Sequence, residues 1–114
     1  MSKYLFLFRG GMDMQAASPE QIQANMMKWK TWMDELTANG KMLAGEPLDR
    51  PGKTLSGKAK KITDGPFAEG KELVGGYLLV NAGGMDEAVE LSKSCPIFDH
   101  EGSVEVRPIM EMSM

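Results

Sequence analysis

Residues 72–81 form a nearly unbroken apolar run, and this run constrains the fold more than any other feature of the sequence. A strand with one solvated face alternates apolar and polar residues, whereas a strand covered on both faces reads as a continuous apolar segment. Val74 and residues 77–80 fit the second pattern. We therefore predict a central strand that needs cover on both sides. Gly75-Gly76 within it predicts a bulge or a close backbone approach.

The N-terminal third predicts a strand followed by a long helix. Residues 4–9 are rich in aromatic side chains and end at a glycine pair, which indicates a buried strand leading into a loop. Ser18, Pro19 and Gln21 have the spacing of an N-cap, a first helical residue and a capping box. Behind this start, one helical face carries an apolar stripe, and Asn39-Gly40 ends the helix. The stripe consists of Ile22, Met26, Trp29, Met33 and Leu36.

The remaining elements complete an α+β pattern. We predict a short strand at 41–45, an exposed hairpin arm or edge strand at 53–63, a helix between Gly83-Gly84 and Pro96, and an alternating strand over 104–112. This order is that of a ferredoxin-like split βαβ unit, whose antiparallel sheet is covered by helices on one face. Because the central strand looks apolar on both faces, we expect a homodimer in which two such sheets pack together.

Composition narrows the functional classes. At 114 residues with 42% hydrophobic content, the chain has room for one domain spanning 1–114. A net charge of −3 disfavours nucleic acid and anionic membranes as partners. The single Cys95 excludes an intrachain disulfide, and no Cys/His cluster has zinc-site spacing, so we expect no metal and no cofactor. The apolar residues 5–8 are too few for a signal peptide or a membrane span, which predicts a cytoplasmic protein.

Three side chains are candidates for acid–base chemistry. Asp64 and Glu69 flank a Gly-Pro-Phe turn and could bring two carboxylates together at a cleft. Alternatively, Asp64 accepts backbone N–H bonds that hold the turn, and Glu69 is solvated. His100 is the only histidine, and its pKa lies in the neutral range unless the surroundings change it. The alternative for His100 is a solvated loop residue without a chemical role.

Arg9, Trp32 and Phe67 are candidates for ligand binding. Arg9 ends an apolar strand before a glycine loop, where its guanidinium could bind a carboxylate or phosphate, or else form an ion pair. For Arg107 in the last strand, an ion pair with neighbouring glutamates is the favoured interpretation. The two tryptophans of the first helix could line an apolar pocket between helix and sheet together with Phe67 and Tyr77. Trp29 fits the buried stripe, whereas Trp32 falls to its side and is expected at a pocket rim or an interface.

Two further patterns have ordinary explanations. The basic residues Arg50, Lys53, Lys58, Lys60 and Lys61 lack interleaved aromatic residues, so a solvated hairpin is favoured over a nucleic-acid site. Met110, Met112 and Met114 could offer thioethers to a soft metal, but strand alternation explains the same spacing.

Several segments resemble the DGPF or YCII-related family. They are Asp64-Gly65-Pro66-Phe67 followed by Glu69, then Cys95-Pro96 and residues 103–108. The resemblance implies a dimeric α+β barrel and, from family context, a link to sigma-factor-dependent transcription. Some relatives carry a proposed His–Asp dyad with the histidine on the first helix, but this chain has no histidine there. An enzymatic interpretation therefore rests on Asp64, Glu69 and His100.

Two functional hypotheses follow from these residues. The first is a small-molecule-binding or regulatory module, in which a cleft near the Asp64 turn accepts a small polar or anionic metabolite. The second is a cofactor-independent isomerase or lyase that uses a cleft carboxylate as general acid or base. Fold analogy alone suggests the second chemistry, and a fold does not fix a function.

Overall fold

The computed structural model describes residues 1–49, 51–65 and 73–112. The elements in chain order are β1 Ser2–Arg9, α1 Pro19–Ala38, β2 Met42–Pro47, β3 Lys53–Ser56, β4 Lys61–Asp64, β5 Val74–Ala82, α2 Met85–Lys93, a 3₁₀ helix Pro96–Asp99 and β6 Ser103–Pro108. Four strands form an antiparallel sheet in the order β2-β5-β1-β6, while β3 and β4 form a separate hairpin. This is a ferredoxin-like α+β arrangement, so the predicted fold class is confirmed.

The helix α1 begins and ends where the sequence predicts. The Gln21 backbone N–H donates to the Ser18 hydroxyl at 3.1 Å, and the Ser18 N–H donates to the Gln21 side chain at 2.8 Å. This reciprocal pair satisfies two backbone donors that the helix itself leaves without partners. At the other end, Gly40 adopts a φ of +70°, which glycine accommodates without strain.

The core lies between the helices and one face of the sheet. Its strand residues are Tyr4, Phe6 and Phe8 from β1 and Leu78, Val80 and Ala82 from β5, and all six are buried. The helices cover them with Trp32, Leu36 and Ala88. Phe6 and Trp32 stack with ring centroids 6.4 Å apart and planes 13° from parallel. Because β1 and β5 are neighbours in the middle of the sheet, their alternate residues supply most of this core.

None of the helices that the structure describes covers the opposite face of the sheet. Alternation along the strands places Leu5, Leu7, Tyr77 and Leu79 on this side, and all four are partly exposed. We call it the open face. The apolar run in β5 is therefore divided between a buried face and the open face.

The last strand is shorter than predicted. The alternating pattern extended through Met112, but β6 ends at Pro108, and Met110 and Met112 are 80% and 74% exposed. The Ile109 N–H still donates to the Lys3 carbonyl oxygen at 2.9 Å, so contact with β1 ends just beyond Pro108. Within the described parts of the chain, no helix is long and apolar enough to cross a membrane.

The β3–β4 hairpin confirms the exposed-arm interpretation of residues 53–63. Its register pairs Lys53 with Asp64 and Leu55 with Ile62. Residues 51–62 are all exposed. We call residues 53–64 the arm.

Candidate functional site

A cavity of about 510 Å³ lies between the middle of α1 and the end of the sheet where β1 finishes and β5 begins. Its walls are aromatic and aliphatic side chains, namely Phe8, Trp29, Leu78 and Ile97, together with the methionines Met12, Met14, Met26 and Met33. Thioether side chains are flexible and polarisable, so such a wall adapts to ligands of different shape. The cavity is an apolar, adaptable candidate site.

The helix presents Met26, Trp29 and Met33 to this cavity because they are three and four residues apart. Trp29 is held against Phe8 in an edge-to-face contact, with ring centroids 5.0 Å apart and an interplanar angle of 87°. This contact fixes the indole ring at the junction between the core and the cavity.

Glycines bring β2 and β5 close together beneath the cavity. A Cβ added at Gly45 would lie 2.1 Å from Cδ2 of Leu78, and one at Gly76 would lie 3.1 Å from the carbonyl oxygen of Glu46. Only glycine fits such spacings without displacing a neighbour. In the pairing with β1, Phe8 opposes Gly76 while Arg9 opposes Val74, so the register shifts at this point. The glycine pair thus marks both a register shift and a close approach, as the sequence predicts.

Two loops meet at the side of the cavity and bring His100 to it. Gly10 has a φ of +74°, and a Cβ there would lie 2.6 Å from the carbonyl oxygen of Glu101. A Cβ at Gly102 would lie 2.3 Å from Cγ1 of Ile97. These close contacts pack the loop after β1 against the loop after the 3₁₀ helix. His100 lies in the second loop and lines the cavity.

Polar side chains at the cavity are few. Asn25 comes from α1 and His100 from the loop. Glu46 and Tyr77 also border the cavity, but strand alternation places their side chains on the open face, where the Tyr77 hydroxyl donates to Glu46 Oε2 at 3.3 Å. A mostly apolar concavity with one or two placed hydrogen-bonding groups is the usual form of a small-molecule site.

Arg9 lies on the open face and is held in an ion pair. Its Nη1 is 2.7 Å from Glu105 Oε1, and Arg107 Nη1 is 3.2 Å from the other Glu105 oxygen. Two hydrogen bonds lower the pKa of the Glu105 carboxyl, the larger effect coming from Arg107 and the smaller from Arg9. Arg9 is not among the residues that line the cavity. The ion-pair alternative therefore describes both arginines.

Trp29, rather than Trp32, lines this cavity. Trp32 is 3% exposed, and its indole N–H donates to the Leu91 carbonyl oxygen at 3.2 Å. It borders a different, shallower concavity between α1 and the 3₁₀ helix. Trp29, expected in the buried stripe, is partly exposed and lines the cavity. Phe67 lies outside the described residues, so the predicted pocket of Trp32 with Phe67 stays a prediction.

Asp64 lies at the base of the arm, away from the cavity lining. Its carboxylate forms an ion pair with Lys53 across the hairpin, and both side chains are largely exposed. The neighbouring Gly65 N–H donates to the Gly52 carbonyl oxygen at 3.0 Å, which closes the hairpin base. Phe67 and Glu69 lie outside the described residues, so the predicted pairing of Asp64 with Glu69 stays a prediction.

Nucleophilic and metal chemistry find little support in the described ranges. Burial raises the pKa of the Cys95 thiol to about 12, so this group is protonated at neutral pH. No three His, Cys, Asp or Glu side chains among the described residues are arranged to hold a metal ion.

The family follows from a comparison with family models. The model of the YCII-related domain matches residues 3–113. The chain belongs to the YCII-related domain family. A search of the curated proteins found no match to the chain. For this YCII-related protein, a candidate function therefore depends on the cavity and the surfaces of the chain itself.

Proposed function

We propose that this YCII-related protein binds a small, largely apolar organic molecule in the cavity beside Trp29. The observation that carries the proposal is the cavity itself, about 510 Å³ in volume with aromatic, aliphatic and thioether walls. Small-molecule sites typically occupy roughly 300–1,000 Å³ and have mostly apolar linings. The volume suits a ligand of one or two fused rings or an equivalent branched chain.

Recognition of the ligand's polar groups falls to Asn25 and His100. An amide and an imidazole can each donate or accept a hydrogen bond, so they suit a carbonyl, hydroxyl or ring nitrogen. Arg9 is engaged by Glu105 on the open face, which disfavours the earlier idea of an anion held by this arginine. The ligand we expect is therefore more apolar than a free phosphate or carboxylate metabolite.

Binding is favoured over the isomerase or lyase hypothesis. That hypothesis needs a carboxylate in the cleft, and Asp64 is paired with Lys53 at the arm instead. Glu46 borders the cavity but is placed by strand alternation on the open face. His100 is the one histidine among the described residues that line the cavity.

Native mass spectrometry of the purified protein tests this function. We expect a retained molecule, or added mass when a panel of apolar aromatic compounds is supplied. Met33→Trp should fill the cavity and abolish the added mass. Met27→Trp is the matched control, since Met27 lies on the same helix and does not line the cavity. Equal retention by both variants would place the ligand elsewhere and contradict the proposal.

We also propose that two copies associate through their open faces. Leu5, Leu7 and Leu79 on this face are only partly covered within one chain, and contiguous apolar surface of this kind favours association. Leu7→Asp should convert a dimer to a monomer by light scattering at micromolar concentration. A wild-type protein that is already monomeric under these conditions would refute the idea.

A further inference from the structure

The arm offers a second surface, one that the described residues of its own chain leave exposed. Leu55 and Ile62 oppose each other across the hairpin, yet they are 58% and 62% exposed. An isolated two-stranded hairpin is at best marginally stable in water. The radius of gyration is 15.8 Å, whereas a compact domain of this length has about 13 Å. The arm has the features of an element that is completed by another molecule.

Charge is divided unevenly between the arm and the rest of the chain. The arm contains four lysines and one aspartate, which gives a net charge of +3. Since the whole chain carries −3, the remaining residues together carry −6. Lys58, Lys60 and Lys61 make no ion pair with any residue that the structure describes. The arm is therefore complementary in charge to the body of its own kind of protein.

A second copy fits this surface better than a nucleic acid does. The arm has no aromatic residue on which a base could stack. Its centre is the apolar Leu55–Ile62 pair, which a phosphate backbone would not cover. At longer range, the net charge of −3 repels a polyanion.

We propose that the arm of one copy docks onto the acidic body of a second copy. The inference rests on the proposed self-association and adds a surface to it. The Leu55–Ile62 pair contributes apolar burial. Lys58, Lys60 and Lys61 contribute electrostatic attraction to the acidic body of the second copy. Complementary charge mainly raises the association rate and fixes the orientation of the partners, so the contact should weaken with salt.

Isotope-resolved cross-linking tests where the arm lies. Equal amounts of ¹⁴N- and ¹⁵N-labelled protein are mixed and treated with a zero-length carbodiimide cross-linker, which joins lysines to carboxylates in direct contact. We expect mixed-isotope peptides that link Lys58, Lys60 or Lys61 to carboxylates outside the arm. A dimer whose arm cross-links only within single-isotope peptides, or not at all, would refute arm docking and leave the open-face dimer standing. A monomer would refute both, while ligand binding to the cavity would still be judged by mass spectrometry.

Charge reversal supplies an independent measurement. The triple variant K58E/K60E/K61E should raise the dimer dissociation constant by on the order of tenfold at low salt. The control K28E/K30E/K93E makes the same change in charge at exposed helix positions and should have a much smaller effect. Because each of these lysines pairs with a carboxylate of its own chain, circular dichroism first establishes that this variant is folded. Analytical ultracentrifugation at two salt concentrations measures the dimer dissociation constant of both variants. Equal weakening by both would show a general effect of net charge and overturn the proposal. Binding of an oligonucleotide that only the arm variant loses would assign the arm to nucleic acid and overturn it too.

Discussion

The two ends of the sheet beneath α1 have opposite packing. At the end that contains Phe6 and Val80, Trp32 stacks on Phe6 and Leu36 is buried, so this end is filled. At the end where β1 finishes, Trp29 and Met33 border a cavity. The strand residues account for the difference, since large side chains fill one end and glycines form the floor of the other. A core and a binding site can therefore be built from one helix by the choice of the residues beneath it.

Trp32→Ala should have the largest effect and tests the filled end. Removing a buried tryptophan from a close-packed core typically costs roughly 3–5 kcal/mol of unfolding free energy. Trp29→Ala, as the matched control at the cavity end, should cost less than half of this, because its ring is partly exposed and already borders empty space. Denaturant titration measures both. Equal losses would erase the distinction between the two ends.

Gly45→Ala should have an intermediate effect and tests the glycine floor. The new methyl group would meet the Leu78 side chain and the Tyr77 carbonyl oxygen, which lies 2.9 Å away. Such overpacking costs roughly 1–3 kcal/mol, and displacement of Leu78 should also lower ligand uptake.

Gly83→Ala is the control, because a Cβ at that position would meet nothing closer than Oε2 of Glu87 at 3.5 Å, an ordinary van der Waals contact. It should leave both stability and ligand uptake near their wild-type values. If Gly45→Ala behaved in the same way, the close approach of β2 and β5 would not define the cavity floor.

Much of this comparison could be predicted from the sequence, although not which tryptophan belonged to which end. The capping box and the glycine pair in β5 are local patterns, and both appear as predicted. The predicted stripe on α1 is only partly buried, since Met26 is 62% exposed and the buried helix residues are Trp32 and Leu36. Trp29 and Trp32 are three residues apart and share a side of the helix, so their environments depend on how α1 crosses the strands. That crossing is a tertiary property without a local signature.

Arg9 and Asp64 illustrate the same limit. The residues next to each of them in the sequence do not identify its ion-pair partner. The partner of Arg9 is Glu105, which follows 96 residues later. Only the register between β1 and β6 brings these two groups together. The sign that could have located the cavity was the occurrence of glycines at Gly45 and Gly76, because glycines in strands beneath an apolar helix stripe leave a gap.

The smallest expected effect concerns Cys95, which belongs to the buried core cluster. Burial raises its pKa to about 12, so the folded state favours the protonated thiol. Below the unfolded pKa of roughly 8.5 this group should not change stability with pH. As the pH rises from there towards 12, the unfolded chain loses the proton first and stability should fall.

Cys95→Ala isolates this contribution from the other alkaline titrations. The melting temperature of the variant, measured from pH 7 to 11, should fall less steeply than that of the wild type above pH 9. Parallel curves would indicate that water reaches the thiol, and that the core around Cys95 is less tightly closed than its packing implies.

The strand β5 contributes to both the cavity and the open face, the surface at which we propose self-association. Leu78 points into the helix-covered side and lines the cavity, while its neighbour Leu79 belongs to the open face. A molecule in the cavity that displaces this strand must displace both surfaces together. Thermodynamic linkage then requires that the factor by which occupancy changes self-association equals the factor by which self-association changes affinity. Ligand binding on one side of this single layer of backbone would thus change the fraction of protein that is dimeric through the other side.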